Sequence, residues 1–552
     1  MVRSALKAII GGGLFVALGV GGAQAYFADG PEFAIRGGAA TTTLQLELGP
    51  VEIAIRDRLG QLEATTALVE RDIAGVIEFY EARGFLPAWT NGGGLTPGAV
   101  AIIDRLAAAD ADGLDPRTYR TPSPYSGGTP AALAVADIMM SMAVAAYTRE
   151  ASAGRLDPRS VSGEIDLSPD YPDVAIAVRS VAVAADQVAA LEGFNPVHPD
   201  YLALRAELAR LRAEDPVERI IIPAGPTLRM GDEGERVAVL RQRLDLAATD
   251  GEAAIFDEDL KAAVIEFQGV ARLVTDGIVG PATIGALNGP NIDPVGEIIA
   301  NMERWRWLPH DFGEFYVHVN IPEFMVRIVA DDEVHHETRV VVGKVSNRTT
   351  IFSDEIEHFI VNPFWYVPAS IIAAEYMPIL RSDPGYFNRN NYDVFARWNG
   401  TVSQVNPVQI DWSRLSASDV SMRQRPGPGN ALGRIKFMFP NSHAIYLHDT
   451  PSKSLFQRDV RSFSHGCVRV MNPMDFADAL LLLEQFDRSG VEALFGNTER
   501  QINLDNHIPV HITYFTAVID EAGNVQFKGD IYGYSATVRD QLGIGDAQIA
   551  AN

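Results

Sequence analysis

The chain has 552 residues, with 71 acidic against 46 basic side chains and a formal net charge of −25. That balance excludes a protein built to neutralise nucleic-acid phosphates, and no Lys/Arg-rich run offsets it. The length allows roughly two to four domains, and the single cysteine, Cys467, excludes an internal disulfide.

Met1 to Ala25 reads as an export signal. Arg3 and Lys7 form the positive start, Ala8 to Gly22 is uncharged, and Ala23-Gln24-Ala25 is a small-residue cleavage site. An uncleaved membrane anchor is the alternative, since no charge falls between Lys7 and Asp29. The many glycines make it a poor spanning helix, which favours cleavage. No later stretch reads as long and apolar enough to span a membrane. Export sharpens the meaning of Cys467, because a merely structural thiol is a liability in an oxidising compartment.

Residues 26–50 carry little signal and read as a flexible segment. Residues 51–222 read as a helical domain, with apolar residues at helical spacing over Ala64–Ala82 and Leu133–Ala153. The phrases Asp112-Gly113-Leu114-Asp115-Pro116 and Gly154-Arg155-Leu156-Asp157-Pro158 are helix stops followed by turns. Glu214 to Pro226 is a linker. Residues 227–290 form a compact three-helix unit. Val237, Leu240 and Leu244 share one helical face, Leu260, Val264 and Phe267 with Gln268 another, and Thr275-Asp276-Gly277-Ile278-Val279-Gly280 turns into the last helix.

From about Asp293 the texture changes to strands, and residues 296–520 read as one mainly β domain. Phe315–Asn320, Met325–Ala330 and Thr338–Val342 are short and rich in Val, Ile and Tyr. Residues 372–428 do not read as more sheet. They hold Tyr376, Tyr386, Tyr392 and Trp398 among turn residues, and the aromatics favour an ordered insertion. Beyond Cys467 a helix is expected over Pro473–Phe486 and a final strand over Pro509–Phe515, then a small hairpin and a loose tail within 521–552.

The chemistry concentrates in Ile445–Val470, where His448 and the run Ser464-His465-Gly466-Cys467-Val468-Arg469 stand together. A thiol becomes a strong nucleophile as its thiolate, and a nearby imidazole can take the proton. A lone buried Cys is more often a small hydrophobe, so composition alone does not decide between the two. The spacing resembles the signature of the YkuD-type L,D-transpeptidases. Asn362-Pro363-Phe364-Trp365-Tyr366-Val367-Pro368-Ala369-Ser370-Ile371 resembles a phrase of the larger, YcbB-like members. The helical region is similar to their scaffold domain, residues 227–290 to the small peptidoglycan-binding module, and residues 372–428 to the insertion that in this family caps the substrate, which implies a capping subdomain that can move. Thr350 departs from the pattern, standing where proline is usual.

The resemblance implies cross-linking of peptidoglycan stem peptides through a thioester on Cys467, in the periplasm, with no cofactor and no metal. His448 would be the base, while His465, Gly466 and Ser464 would support the loop and an oxyanion cradle. Arg469, Trp365, Tyr366, Tyr446 and Asp449 would contact substrate. Other cell-wall synthesis enzymes are candidate partners, and carbapenem-type β-lactams would acylate an activated Cys467 thiolate. Passing the thioester to water or to an envelope protein is the alternative, and a non-catalytic wall-binding protein a further one. From the residues alone His465 could serve as base instead of His448, and either the Asp449 carboxylate or a backbone carbonyl could orient it.

Overall fold

The computed structural model describes residues 32–37, 40–45, 47–124, 128–213, 220–223, 225–246, 254–288, 293–483 and 487–544. The expected export signal lies outside them, as does most of the expected linker. Segment 26–50, expected to lack regular structure, contains an antiparallel hairpin of Glu32–Gly37 with Ala40–Gln45.

The chain divides into two units. One comprises the described residues up to 104 together with 119–146 and 173–188, and the other comprises 105–118, 147–172 and everything from 189. In the first unit the helix Ala67–Ala82 starts at Thr66, whose hydroxyl accepts from Val69 N, and it buries Val76, Phe79 and Tyr80. It packs on Val174–Val183 at Gly75, where an added Cβ would stand 2.4 Å from Val174 Cβ. Asp137 is fully buried and accepts from the amides of Ala88, Trp89 and Thr90 and from the Tyr80 phenol. These donors replace the water that a buried carboxylate loses.

Contrary to expectation, one later segment does meet the length and hydropathy of a membrane span. The helix Pro130–Ala153 is 24 residues long and apolar enough, but 67% of its most apolar window is buried in the protein, which is the signature of a core helix.

In the second unit the helices Glu235–Arg243, Glu258–Val270 and Pro281–Asn288 enclose a small core of Val237, Leu240, Phe256, Leu260, Val264, Val279 and Leu287. Gln268 is buried, donates to Ile278 O and Thr283 Oγ1, and accepts from Gly277 N. Gly277 has φ +69°, which favours glycine. The Gln and Asp-Gly phrases of this module therefore brace its turn.

Residues after Asp293 do not begin as strand. Pro294–Trp305 is a helix, capped by the Asp293 carboxylate on Val295 N and Gly296 N. A nine-stranded sheet follows: β1 Phe315–Asn320, β2 Met325–Ala330, β3 Glu333–Gly343, β4 Phe352–Val361, β5 Ile435–Met438, β6 Leu447–His448, β7 Ser462–Ser464, β8 Val468–Val470 and β9 Arg500–Thr513. Its order is β7-β3-β8-β6-β5-β4-β9-β1-β2, and β2 also pairs with β3, so the sheet closes on itself. One face packs Leu447, Val468, Val470, Phe437, Phe359 and Val317 into the main core.

The insertion after Ile371 is ordered but is not free of sheet. Tyr392–Trp398, Thr401–Val405 and Val420–Gln424 join Trp365–Tyr366 in a four-stranded sheet of their own. A separate core of Ile372, Leu380, Phe387, Val394 and Trp412 supports it. The helix expected over Pro473–Phe486 is described as Pro473–Leu480 followed by a short turn, Leu481–Leu483. The last long strand starts at Arg500, earlier than expected. The hairpin pairs Ala517–Ile519 with Val525–Phe527, and the supposedly loose tail holds a helix, Tyr534–Leu542.

Candidate active site

Side chains alternate between faces along a strand, and residues paired across strands share a face. In the parallel pair β6–β8, Leu447 lies beside Val468 and His448 beside Arg469. Leu447, Val468 and Val470 go to the core. His448 and Arg469 therefore face the other way, and so do Tyr446 and Cys467, two residues before each. In the antiparallel pair β5–β6, Lys436 lies beside His448. The face opposite the core thus carries Cys467, Arg469, Tyr446, His448 and Lys436.

His448 is buried, and its Nδ1 lies 2.5 Å from the backbone carbonyl of Asp449. A carbonyl can only accept, so Nδ1 carries the proton and Nε2 presents a lone pair. The Asp449 carboxylate is occupied otherwise. It accepts from Arg434 N, Thr450 N and Lys453 Nζ, and packs against Gly433, where an added Cβ would collide with it. Asp449 thus ties the Arg434 and Lys453 segments together next to His448. The Tyr446 ring lies 5.6 Å from the His448 ring, and Lys436 Nζ stands 5.3 Å over the Tyr446 ring.

Cys467 is half-buried, and its thiol points to the Ala444 carbonyl at 3.6 Å. The loop before it is tightly held. Ser464 Oγ donates to Cys467 O at 2.5 Å and accepts from Gly466 N. Thr349 Oγ1 donates to Gly466 O and accepts from Gly343 N, while the Tyr532 hydroxyl donates to Gly343 O. Gly466 has φ +120°, a conformation other residues rarely adopt. Its amide donates to Ser464 Oγ at 3.2 Å.

His465 turns away from the thiol. Its Nε2 lies 2.8 Å from Glu375 Oε1 in the capping insertion and 3.1 Å from Lys344 Nζ. Of the two histidines, His448 lies on the strand paired with the one that follows Cys467, beside Arg469, while His465 is bonded to the insertion. Trp365 packs edge-on against Tyr376 and Tyr392 in the insertion core, and Tyr366 is 63% exposed beside Phe364. Among the described residues neither of them makes a hydrogen bond or ring contact with Cys467 or His448. Thr350, where the pattern has proline, donates to Glu164. Sequence reasoning missed Lys436, because only strand register brings it beside His448.

The electrostatics run against a resting thiolate. Burial pushes the Cys467 thiol above its usual value, opposed by hydrogen bonding from Tyr446 and by the charges of Arg469 and Lys436. Burial pushes His448 down to about 3, and the same two cations add to that. Burial and Cys467 hold the Tyr446 phenol well above its ordinary value. The resting pair is therefore neutral thiol and neutral imidazole. Alkylation of Cys467 by iodoacetamide is expected to rise through a midpoint above that of a free thiol, about 8.5. A midpoint near or below about 7 would show a preformed thiolate instead. No group of His, Cys, Asp and Glu among the described residues is arranged to hold a metal ion.

Residues 314–495 match the model of an L,D-transpeptidase catalytic domain, residues 74–208 a scaffold domain, and residues 233–287 a "Putative peptidoglycan binding domain". A "Putative L,D-transpeptidase" of Haemophilus influenzae is 36% identical over 246 residues, covering 44% of this chain and 48% of that protein. The chain spans about half the length of this curated relative. An L,D-transpeptidase structure from Mycobacterium smegmatis aligns at 13% identity over 36% of this chain and 58% of its own, with a TM-score of 0.19. One from Xylanimonas cellulosilytica aligns at 18% identity over 53% of this chain and 99% of its own, with a TM-score of 0.17. Structural alignments this shallow carry no further weight.

Proposed function

We propose, for a chain that carries a YkuD L,D-transpeptidase catalytic domain with a scaffold domain and a peptidoglycan-binding domain, that it cross-links peptidoglycan stem peptides through a thioester on Cys467. The observation that supports this most is the single face of β6 and β8 that presents Cys467, Tyr446, His448 and Arg469, with His448 held in one tautomer. The thiol leaves Ala444 O and gives its proton to His448 Nε2 as sulfur attacks the carbonyl of the third stem residue. The negative oxygen that forms is met by the Cys467 amide. His448 returns the proton to the departing D-Ala nitrogen, the amide bond breaks, and the acyl group remains on sulfur. The side-chain amine of a diaminopimelate on a second stem then attacks the thioester, gives a proton to His448, and the thiol is released.

His448 suits this cycle because it rests neutral. The imidazolium that forms is stabilised by the adjacent thiolate only while that charge exists. Arg469, whose Nε has no hydrogen-bond acceptor among the described residues, would hold a stem carboxylate. His465, Ser464 and Gly466 would set the loop, and the insertion bearing Trp365 and Tyr366 would cover the bound stem. This chemistry belongs outside the cytoplasm, in a periplasm, alongside other cell-wall synthesis enzymes.

The test is incubation with disaccharide-tetrapeptides followed by mass spectrometry. Dimers that have lost one D-Ala, absent with Cys467→Ala, are the expected result, with a carbapenem adduct at Cys467 in the native protein only. Tripeptides without dimers would redirect the thioester to water, as an L,D-carboxypeptidase. Unchanged substrate with an intact carbapenem adduct would move the acyl acceptor to an envelope protein. Neither product nor adduct would leave a wall-binding protein and sink the catalytic reading.

A further inference from the structure

The thiol of Cys467 rests on the carbonyl of Ala444, and that carbonyl is held in place from a distant part of the chain. Ala444 has φ +55°, a left-handed conformation that a residue with a Cβ adopts only when its surroundings impose it. From within the loop, Asn441 Oδ1 accepts from His443 N and Ile445 N, and its Nδ2 donates to Ile445 O. From outside the loop, His443 Nε2 lies 2.9 Å from Asp166 Oδ2. A carboxylate only accepts, so Nε2 carries the proton.

Asp166 belongs to the scaffold region, in the part that falls within the same unit as the β domain. Its segment is docked by the backbone: Asp166 N donates to Ile351 O, and Ile351 N donates to Glu164 O. Ile165 and Leu167 are buried in the main core, and alternation turns Asp166 the other way, onto the loop of His443. The side chains of His443 and Asp166 are 25% and 36% exposed, and a pair that exposed adds little to stability. Its effect is on where the loop stands.

A thiol can donate to a carbonyl, and a thiolate cannot. The Ala444 oxygen therefore favours the protonated sulfur, while Tyr446, Arg469 and Lys436 favour the thiolate. To attack a donor, the sulfur must leave that oxygen.

We infer that Asp166 is a positioning residue: by holding His443 it keeps the Ala444 carbonyl on the Cys467 thiol, so that the scaffold segment sets the resting reactivity of the nucleophile. The inference rests on the thioester reading above for its purpose, since a sulfur held in this way stays protonated until a donor draws it off. Its test reads the thiol directly.

The test is iodoacetamide alkylation of Cys467 against pH, in the full-length native protein, Asp166→Ala, His443→Ala, the double variant and His443→Gln. Cys467 is the sole cysteine, so the label reports one site. The backbone bonds at Ile351 involve no Asp166 side-chain atom, so the segment stays docked in every variant. Both single alanine variants should lower the alkylation midpoint by about 0.5 to 1 pH unit, the worth of one weak hydrogen bond to the neutral thiol. The double variant should go no further than either alone. His443→Gln, whose amide can still donate to Asp166, should stay near native.

Charge acting at range gives a different pattern. Asp166 and Asp354 are the acids that bear on His443. Losing the Asp166 anion would lower the midpoint, whereas His443→Ala, which removes no anion, would leave it or raise it. That pattern, or unshifted midpoints in both alanine variants, would overturn the inference. A shift that His443→Gln shares with His443→Ala would assign the effect to ring packing on Phe352 and overturn it too. A native protein with the expected alkylation profile but neither product nor carbapenem adduct would remove the thioester reading and leave the positioning role of Asp166 standing.

Discussion

Replacing His448 with glutamine is expected to lower kcat/KM for donor consumption by about 10²- to 10⁴-fold, the usual span for a positioned general base. The substitution keeps a planar polar side chain able to bond to the Asp449 carbonyl, so the loop that Asp449 braces should persist. What it removes is the lone pair at Nε2. Burial pushes the Cys467 thiol up and so favours its protonated form, and on the proposed mechanism attack depends on that lone pair. The pH profile separates this role from a structural one. As pH rises toward the thiol's own ionisation, hydroxide supplies the thiolate without a base, and the gap between native and variant should narrow. His465→Gln should cost far less, since His465 contacts Glu375 and Lys344 and not the thiol. A large loss in His465→Gln with near-native His448→Gln would reverse the assignment.

The shared face of the candidate residues was the most legible part of the chain, because their spacing is short and strand alternation follows from it. Tyr446 with His448, and Cys467 with Arg469, are each two apart, so each pair shares a face once a strand is assumed. Register is not local, and it decided what sequence left open. Lys436 joins the site only through the β5–β6 pairing, and the orienting group of His448 is a carbonyl that every residue has. Helix Pro294–Trp305 was missed for a related reason. Gly296 to Trp305 are all buried, including Glu297, Asn301, Glu303 and Arg304. Glu297 meets Thr516, Ser535 and Arg304, and Glu303 accepts from the Arg155 and Leu156 amides. Charges paired only through distant residues look like a solvated stretch in a sequence. The insertion strands were hidden likewise, since the buried Asp393 on Tyr392–Trp398 is paired with Arg423 of strand Val420–Gln424 and with Arg425 just beyond it.

Acid should destabilise the native protein well before its carboxylates are lost, and the reason lies partly in the active site. His448 and His511 are each 4% exposed, and burial pushes them to about 3 and about 4. The half-buried His198 and His318 are pushed the same way, to about 4 and about 3. An unfolded histidine titrates near 6.5, so between that value and about 4 the unfolded chain binds protons that the native one refuses. Stability is then fully present above pH 6.5 and falls with pH, by about 1.4 kcal/mol per unit for each such histidine. His448 and His511 together remove about 4 kcal/mol by pH 5. Asp200 acts oppositely. Burial raises it to about 6, and its gain as pH falls from 6 toward 4 offsets about one histidine. The net slope remains downward. Urea midpoints measured at pH 7.5, 6.5, 5.5 and 4.5 should fall steadily below 6.5, and a flat series from 7 to 5 would contradict the burial argument. His448→Gln should flatten the slope by one proton's worth while abolishing most turnover. One substitution would thus gain acid stability and lose catalysis, because the burial that keeps this imidazole neutral for proton transfer is the same burial that makes its protonation unfold the protein.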